Sequence, residues 1–221
     1  MGTLSLVTMR SLVRSNLNEL GTSMLSDAEL NIIINDGYKD VCSRGLCYES
    51  KIAKTDIPAS VKYIPLISNN IVRIHYVEYD KGATGCVGMS EILPQTTGRI
   101  SINNYTPQYW FQWGEFLVVE PLPDVATYDL NIYASCYPAA VLTADADLPS
   151  SVPPEFHEVI AVFATSYASL KLRRWGDAAL YYNMYIENIQ MRKFEYIDKN
   201  VDYRVNMEMY GNVITEARGN D

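Results

Sequence analysis

The sequence predicts an α+β fold in two lobes. Three observations carry this: helical spacing of apolar residues at both ends of the chain, a β-patterned middle from about Tyr48 to Tyr137, and a connection near Trp175 short enough to fold the last two helices into an antiparallel hairpin. The chain has 221 residues, 48% hydrophobic and 20% charged, which is globular composition and enough length for one elaborate domain or two modest ones.

The first helix is expected from about Thr8 to Leu20, with Met9, Leu12, Val13, Leu17 and Leu20 at helical spacing and Gly21 as its stop. The second has a sharper start. Ser26 and Glu29 form the S-x-x-E pattern of a capping box, and Leu25 and Leu30 flank it as a hydrophobic staple, so the helix should begin at Asp27. Its apolar face runs through Leu30, Ile33, Ile34, Tyr38, Val41 and Cys42, and Gly45 should close it.

The middle carries short alternating or β-branched runs broken by Gly, Pro, Asn and Asp: VKYIPLI, IVRIHYVEYD, GRISI, EFLVVEP and YDLNIYASCY. Their spacing suits antiparallel hairpins, hence a small sandwich or curled sheet, with YWFQW as a further strand or an aromatic loop. The linker PAAVLTADADLPSSVPP leads to a third helix opened by Pro153 and Pro154, with Glu155 and Glu158 at its positive end. Phe156, Ile160, Phe163, Tyr167 and Leu170 form a stripe suited to another helix. A fourth helix follows from about Asp177 to Tyr196, with Ala178, Tyr181, Tyr182, Tyr185, Ile186 and Ile189 on its apolar side. Beyond it Val201, Tyr203, Val205, Met207 and Met209 alternate strictly with polar residues. That is a strand's period without a neighbouring mate, so it joins the β lobe, adds to another chain's sheet edge, or stays a free tail.

Chemistry is sparse. Cys42, Cys47, Cys86 and Cys136 lack C-x-x-C spacing, and only His75 and His157 could join them, so reduced structural cysteines are expected and no metal site. GATGCVG lacks the Lys and following helix of a phosphate loop and reads as a hairpin turn. Asp145 and Asp147 lack the grammar of a calcium loop and read as loop solvation and capping. His157 reads as a first-turn surface or interface histidine. No nucleophile or acid/base pair stands at a workable spacing, so neither enzyme nor cofactor is expected. A net charge of −8 argues against a phosphate-gripping surface, and Lys171, Arg173 and Arg174 complement a helix end. No run is long enough to span a membrane, and Arg10 and Arg14 interrupt the N-terminal apolar residues, against a secretory signal. Two aromatic groups stand out. Tyr181, Tyr182 and Tyr185 exceed what a small bundle needs and suit contacts to a neighbouring copy. Tyr109, Trp110, Phe111 and Trp113 are either a sugar-stacking platform or core plus interface.

Three pieces, in this order, carry a likeness: TMRSLVRSNL with LSDAELNIIINDGYKDV; WGEFLVVEPLPDVATYDLNIYAS; and LTADADLPSSVPPEFHEVIAVFATSYASLKLRRWGDAALYYNMY. Together they resemble the head-to-tail adaptor family of tailed bacteriophages, which includes the tail tubular proteins of short-tailed phages. The resemblance implies an antiparallel bundle of four main helices with a β-sheet or sandwich lobe inserted between the two helix pairs, plus an extended C-terminal arm. The corresponding parts are 1–47, 48–150, 151–197 and 198–221. It implies a structural virion protein, made in the host cytoplasm and placed in the phage neck, whose copies form a ring, typically of twelve, under the portal protein. The ring extends the channel through which genomic DNA passes without specific binding, and docks a downstream tail or nozzle protein. The arm, Val201, Tyr203, Val205, Met207, Met209 and Tyr210, would reach the portal or a neighbour, and Tyr109, Trp110, Phe111 and Trp113 would face the tail. The rival reading is a tail-associated β module that recognises a glycan or host surface.

Overall fold

The computed structural model describes residues 2–18, 24–58, 61–66, 70–80, 85–93, 106–122 and 127–193. By internal contacts the chain divides into two compact units, Met1–Cys47 with Val141–Asp221, and Tyr48–Ala140.

In the first unit, helix α1 (Leu6–Asn16) starts without a side-chain cap at Ser5. Its first N–H groups, which have no partner inside a helix, are met by a distant loop: Leu6 N–H donates to Asp147 O at 2.9 Å and Val7 N–H to Asp145 O at 3.1 Å. Helix α2 (Asp27–Gly45) has the expected capping box, Ser26 Oγ accepting from Glu29 N–H while the Glu29 carboxylate accepts from Ser26 N–H. Both staple leucines, Leu25 and Leu30, are buried. At the other end Gly45 is still helical and Leu46 takes the left-handed cap at φ 51°, one residue later than the glycine suggested.

A 3-10 turn at Pro154–Phe156 leads into α3 (His157–Lys171). A stripe facing a single partner does not describe this helix. Eleven of its fifteen residues are buried, whereas Tyr167 and Leu170 are exposed. Small residues explain it, because Ala161, Ala164, Thr165, Ser166, Ala168 and Ser169 let neighbours approach on several sides. Helices α1 and α2 both pack on α3, and α4 (residues 175–193 among those described) does too, with Ser166 Oγ donating to Ala178 O at 2.9 Å. At the α2–α3 crossing, a Cβ on Gly37 would lie 2.7 Å from Phe163 Cδ1 and 3.3 Å from Ile160 O, so glycine sets that spacing.

The second unit holds β1 (Glu49–Pro58), β2 (Tyr63–Pro65), β3 (Ile71–Asp80), β4 (Cys86–Glu91), β5 (Tyr109–Trp113), β6 (Phe116–Glu120) and β7 (Thr127–Cys136). They form one sheet in the order β1-β7-β3-β4-β5-β6-β2. All pairs are antiparallel except β4 with β5, which run parallel with Ser90 opposite Tyr109 and Glu91 opposite Trp110. Val77, Met89, Trp110, Leu117, Val119, Leu130 and Ile132 belong to the core cluster of this unit.

The expected fold class is therefore corrected. Among the described residues the architecture is four helices and a seven-stranded mixed half-barrel sheet, not an antiparallel helical bundle with an inserted β-sheet or sandwich lobe. Two features account for the difference. The parallel β4–β5 pair joins strands that hairpins alone would leave as separate sheets. The helices, in turn, surround the buried α3 instead of each offering one stripe to a shared bundle core.

Candidate functional site

Two expected surface groups lie among the described residues, and the structure sorts each into core and surface. On β5, alternation sends Trp110 into the core cluster, while Tyr109, Phe111 and Trp113 share the opposite face. Phe111 is buried, Tyr109 is half-buried, and Trp113 is 60% exposed. The four aromatics therefore do not form one stacking platform. What the sheet brings together is different: Trp113 pairs across strands with Phe116, Pro65 pairs with Phe116, and Tyr63 meets the Phe116 ring edge-on at 6.2 Å. Tyr63, Phe116 and Trp113 are all exposed and lie where β2 ends the sheet. Sequence reading missed Tyr63 and Phe116 because their proximity follows from β2 pairing with β6, which no local pattern announces.

On α4 the three tyrosines divide as well. Tyr185 is fully buried, its ring edge-on to Phe163 at 5.1 Å and its hydroxyl donating to Asp40 Oδ2. Burial, then the Asp40 carboxylate, pushes the Tyr185 phenol well above the usual tyrosine range. Tyr181 is half-buried and donates to Asn16 O at 3.3 Å, which ties α4 to the end of α1. Tyr182 is the one of the three classed as exposed, beside Tyr185 at 6.1 Å between centroids. The face turned away from Tyr185 carries Leu180, Met184 and Met191, all exposed. These escaped sequence reading because an amphipathic helix is ordinarily assigned a single apolar side. The arm residues Val201, Tyr203, Val205, Met207, Met209 and Tyr210 lie outside the described residues.

The polar residues singled out earlier hold the helical unit together. His157 is buried, not a surface or interface group: Leu4 N–H donates to Nδ1 at 3.0 Å, and Nε2 donates to Val152 O at 3.3 Å. Burial depresses its pKa below the ordinary histidine value. The Asp147 carboxylate accepts from the N–H groups of Thr143 and Ala144, both at 2.7 Å, which lowers its pKa. Asp145 pairs with the buried Arg10 of α1. Capping and helix fastening are thus what this loop does. Among the described residues there is no cluster of three or more His, Cys, Asp or Glu side chains able to hold a metal ion. All four cysteines are free, with Cys86 exposed and Cys42, Cys47 and Cys136 buried.

A family model described as SU10 adaptor protein matches residues 6–207. The chain belongs to this family of phage head-to-tail adaptors. No curated protein sequence matches it. As a phage adaptor it is a structural component of the virion, and the relevant sites on an adaptor are assembly surfaces. Among the described residues, no helix is long and apolar enough to cross a membrane.

Proposed function

We propose that this adaptor forms a ring, typically of twelve copies, beneath the portal protein, extends the DNA channel and docks the next tail or nozzle component. The observation that carries this reading is the family match, which spans the helical unit, the sheet unit and the first part of the proposed arm, up to residue 207. The exposed Tyr63, Phe116 and Trp113 support a role in docking, since exposed aromatic clusters suit protein interfaces. In this reading they face the tail, and Tyr182 supplies the tyrosine contact to a neighbouring copy. The net charge of −8 supports a channel that repels the phosphate backbone and lets DNA slide.

Residues 198–221 are the proposed arm that engages the portal. Deleting them should abolish binding to the portal protein of the same phage while leaving the melting of the helical unit unchanged. Full portal binding by the truncated chain would remove the arm from this reading.

A further inference from the structure

The end of α2 brings two thiols together. Leu46 takes the left-handed conformation at φ 51°, and its N–H closes the last turn on Cys42 O at 3.2 Å. A left-handed cap reverses the chain, so the residue beyond it comes back against the last turn of its own helix. That residue is Cys47, and its thiol points at Val41 O, 3.9 Å away and one residue before Cys42. Both cysteines are buried. The hydrogen bond between the two thiols, followed by burial, pushes the Cys42 thiol well above the ordinary thiol range. The other two cysteines are held differently: Cys86 Sγ accepts from Asn131 Nδ2, and Cys136 Sγ donates to Ala134 O. A small apolar residue would fill either position at the end of α2, whereas only two sulfurs can bond to each other.

We propose that Cys42 and Cys47 form a disulfide when the virion leaves the reducing host cytoplasm, stapling the last turn of α2 to the chain that leaves it. The oxidant is a low-molecular-weight disulfide such as oxidised glutathione. One protein thiol, deprotonated during fraying of the last turn, attacks it, giving a mixed disulfide and releasing one glutathione thiolate, which takes up that proton. The second protein thiol then attacks the protein sulfur of that mixed disulfide, giving Cys42–Cys47 and a second glutathione, protonated by the proton it loses. Two electrons pass from the protein to glutathione. Burial makes the exchange slow, because the thiolate is the attacking species, and so keeps the pair reduced during assembly. It does not make the exchange unfavourable, since the cap already holds the sulfurs together and the entropy of closing the ring is largely lost on folding. The two compact units part between Cys47 and Tyr48, so the staple fixes the residue from which the sheet unit departs. This inference needs the chain to be a virion component and does not depend on the ring.

Trypsin reads the pair directly. It cuts after Lys39, Arg44 and Lys51, which places Cys42 in the peptide Asp40–Arg44 and Cys47 in Gly45–Lys51. Chains trapped with N-ethylmaleimide in denaturant from infected cells before lysis should give the two peptides separately, each alkylated. Chains from released virions, trapped and digested without reductant, should give them joined. Separate alkylated peptides from released virions would overturn the staple, and joined peptides before lysis would overturn the change on release. Equilibration of the purified full-length chain with glutathione buffers, approached from both the dithiol and the disulfide, measures the constant for closure. It should be at least about tenfold greater for the folded chain than in guanidinium, where the cap is lost. An equal or smaller constant would show that the fold does not hold the sulfurs for bonding and would overturn the proposal. So would stable glutathione adducts at Cys42 or Cys47 in place of the joined peptides.

Discussion

The Tyr185 hydroxyl donates to the Asp40 carboxylate, joining α4 to α2 inside the helical unit, and Arg44 Nε donates to the same Asp40 oxygen at 2.8 Å. One carboxylate thus organises the closing of the last helix onto the second. Tyr185→Phe keeps the ring and loses this bond. Because Arg44 remains on Asp40, the loss should sit near the lower end for hydrogen bonds to charged groups, about 1.5 kcal/mol. Tyr185→Ala also opens a cavity beside Phe163 and should cost about 3–5 kcal/mol. Chemical denaturation followed by far-UV circular dichroism measures both; equal, small losses would contradict a core role for the ring.

Gly37 sets the α2–α3 distance, since a Cβ there would sit 2.7 Å from Phe163 Cδ1. Gly37→Ala should therefore destabilise by about 1–3 kcal/mol through overpacking, despite the better helix propensity of alanine. A variant as stable as the parent would show that Phe163 moves aside without cost.

The buried His157 makes stability depend on pH in a defined window. Its folded pKa lies below the ordinary value of 6.5, with burial as the main cause. The unfolded chain therefore takes up the proton first. The contribution is present above about 6.5 and is lost as pH falls through the folded value. Protonated Nδ1 could no longer accept the Leu4 N–H, so the first residues should loosen in step. The depressed carboxylates of Glu29 and Asp147 act in the same direction but lower, below their ordinary values of 4.5 and 3.8. Melting temperature should fall as pH drops below about 6.5 in the parent, and this part of the fall should flatten in His157→Gln. An identical slope in both would remove His157 as its source.

Trp113→Ala and Tyr63→Ala should change stability by no more than about 0.5 kcal/mol, the usual range for exposed positions. Both should nevertheless reduce recruitment of the tail component to adaptor-bearing heads. Measuring tail incorporation alongside thermal melting separates the effects; loss of stability with normal recruitment would make the cluster a structural edge of the sheet.

Local chemistry was legible in the sequence and long-range pairing was not. Ser26 with Glu29 fixed the start of α2 because a capping box is complete within four residues. Strand β1 escaped because it is an edge, with Lys51, Lys54 and Asp56 interrupting its pattern, the charged dress that discourages edge strands from pairing further. The parallel β4–β5 pair escaped because strand periodicity says nothing about the partner, and Cys86–Glu91 begins inside a run that read as a turn. His157 looked exposed because its partners, Leu4 N–H and Val152 O, are visible only in three dimensions. The same limit applied to the exposed apolar surfaces. Trp113 stood out as an aromatic, but Tyr63 and Phe116 joined it only through strand pairing, and the outward α4 face emerged only once Tyr185 was known to point inward.

The central claim is that this chain assembles as a ring on the portal. Native mass spectrometry of the full-length protein, alone and then mixed with the portal protein of the same phage, tests it most directly. The account predicts a portal complex carrying many adaptor copies, about twelve if the proposed ring is correct. No association at any mixing ratio, or a single copy bound per portal assembly, would contradict it.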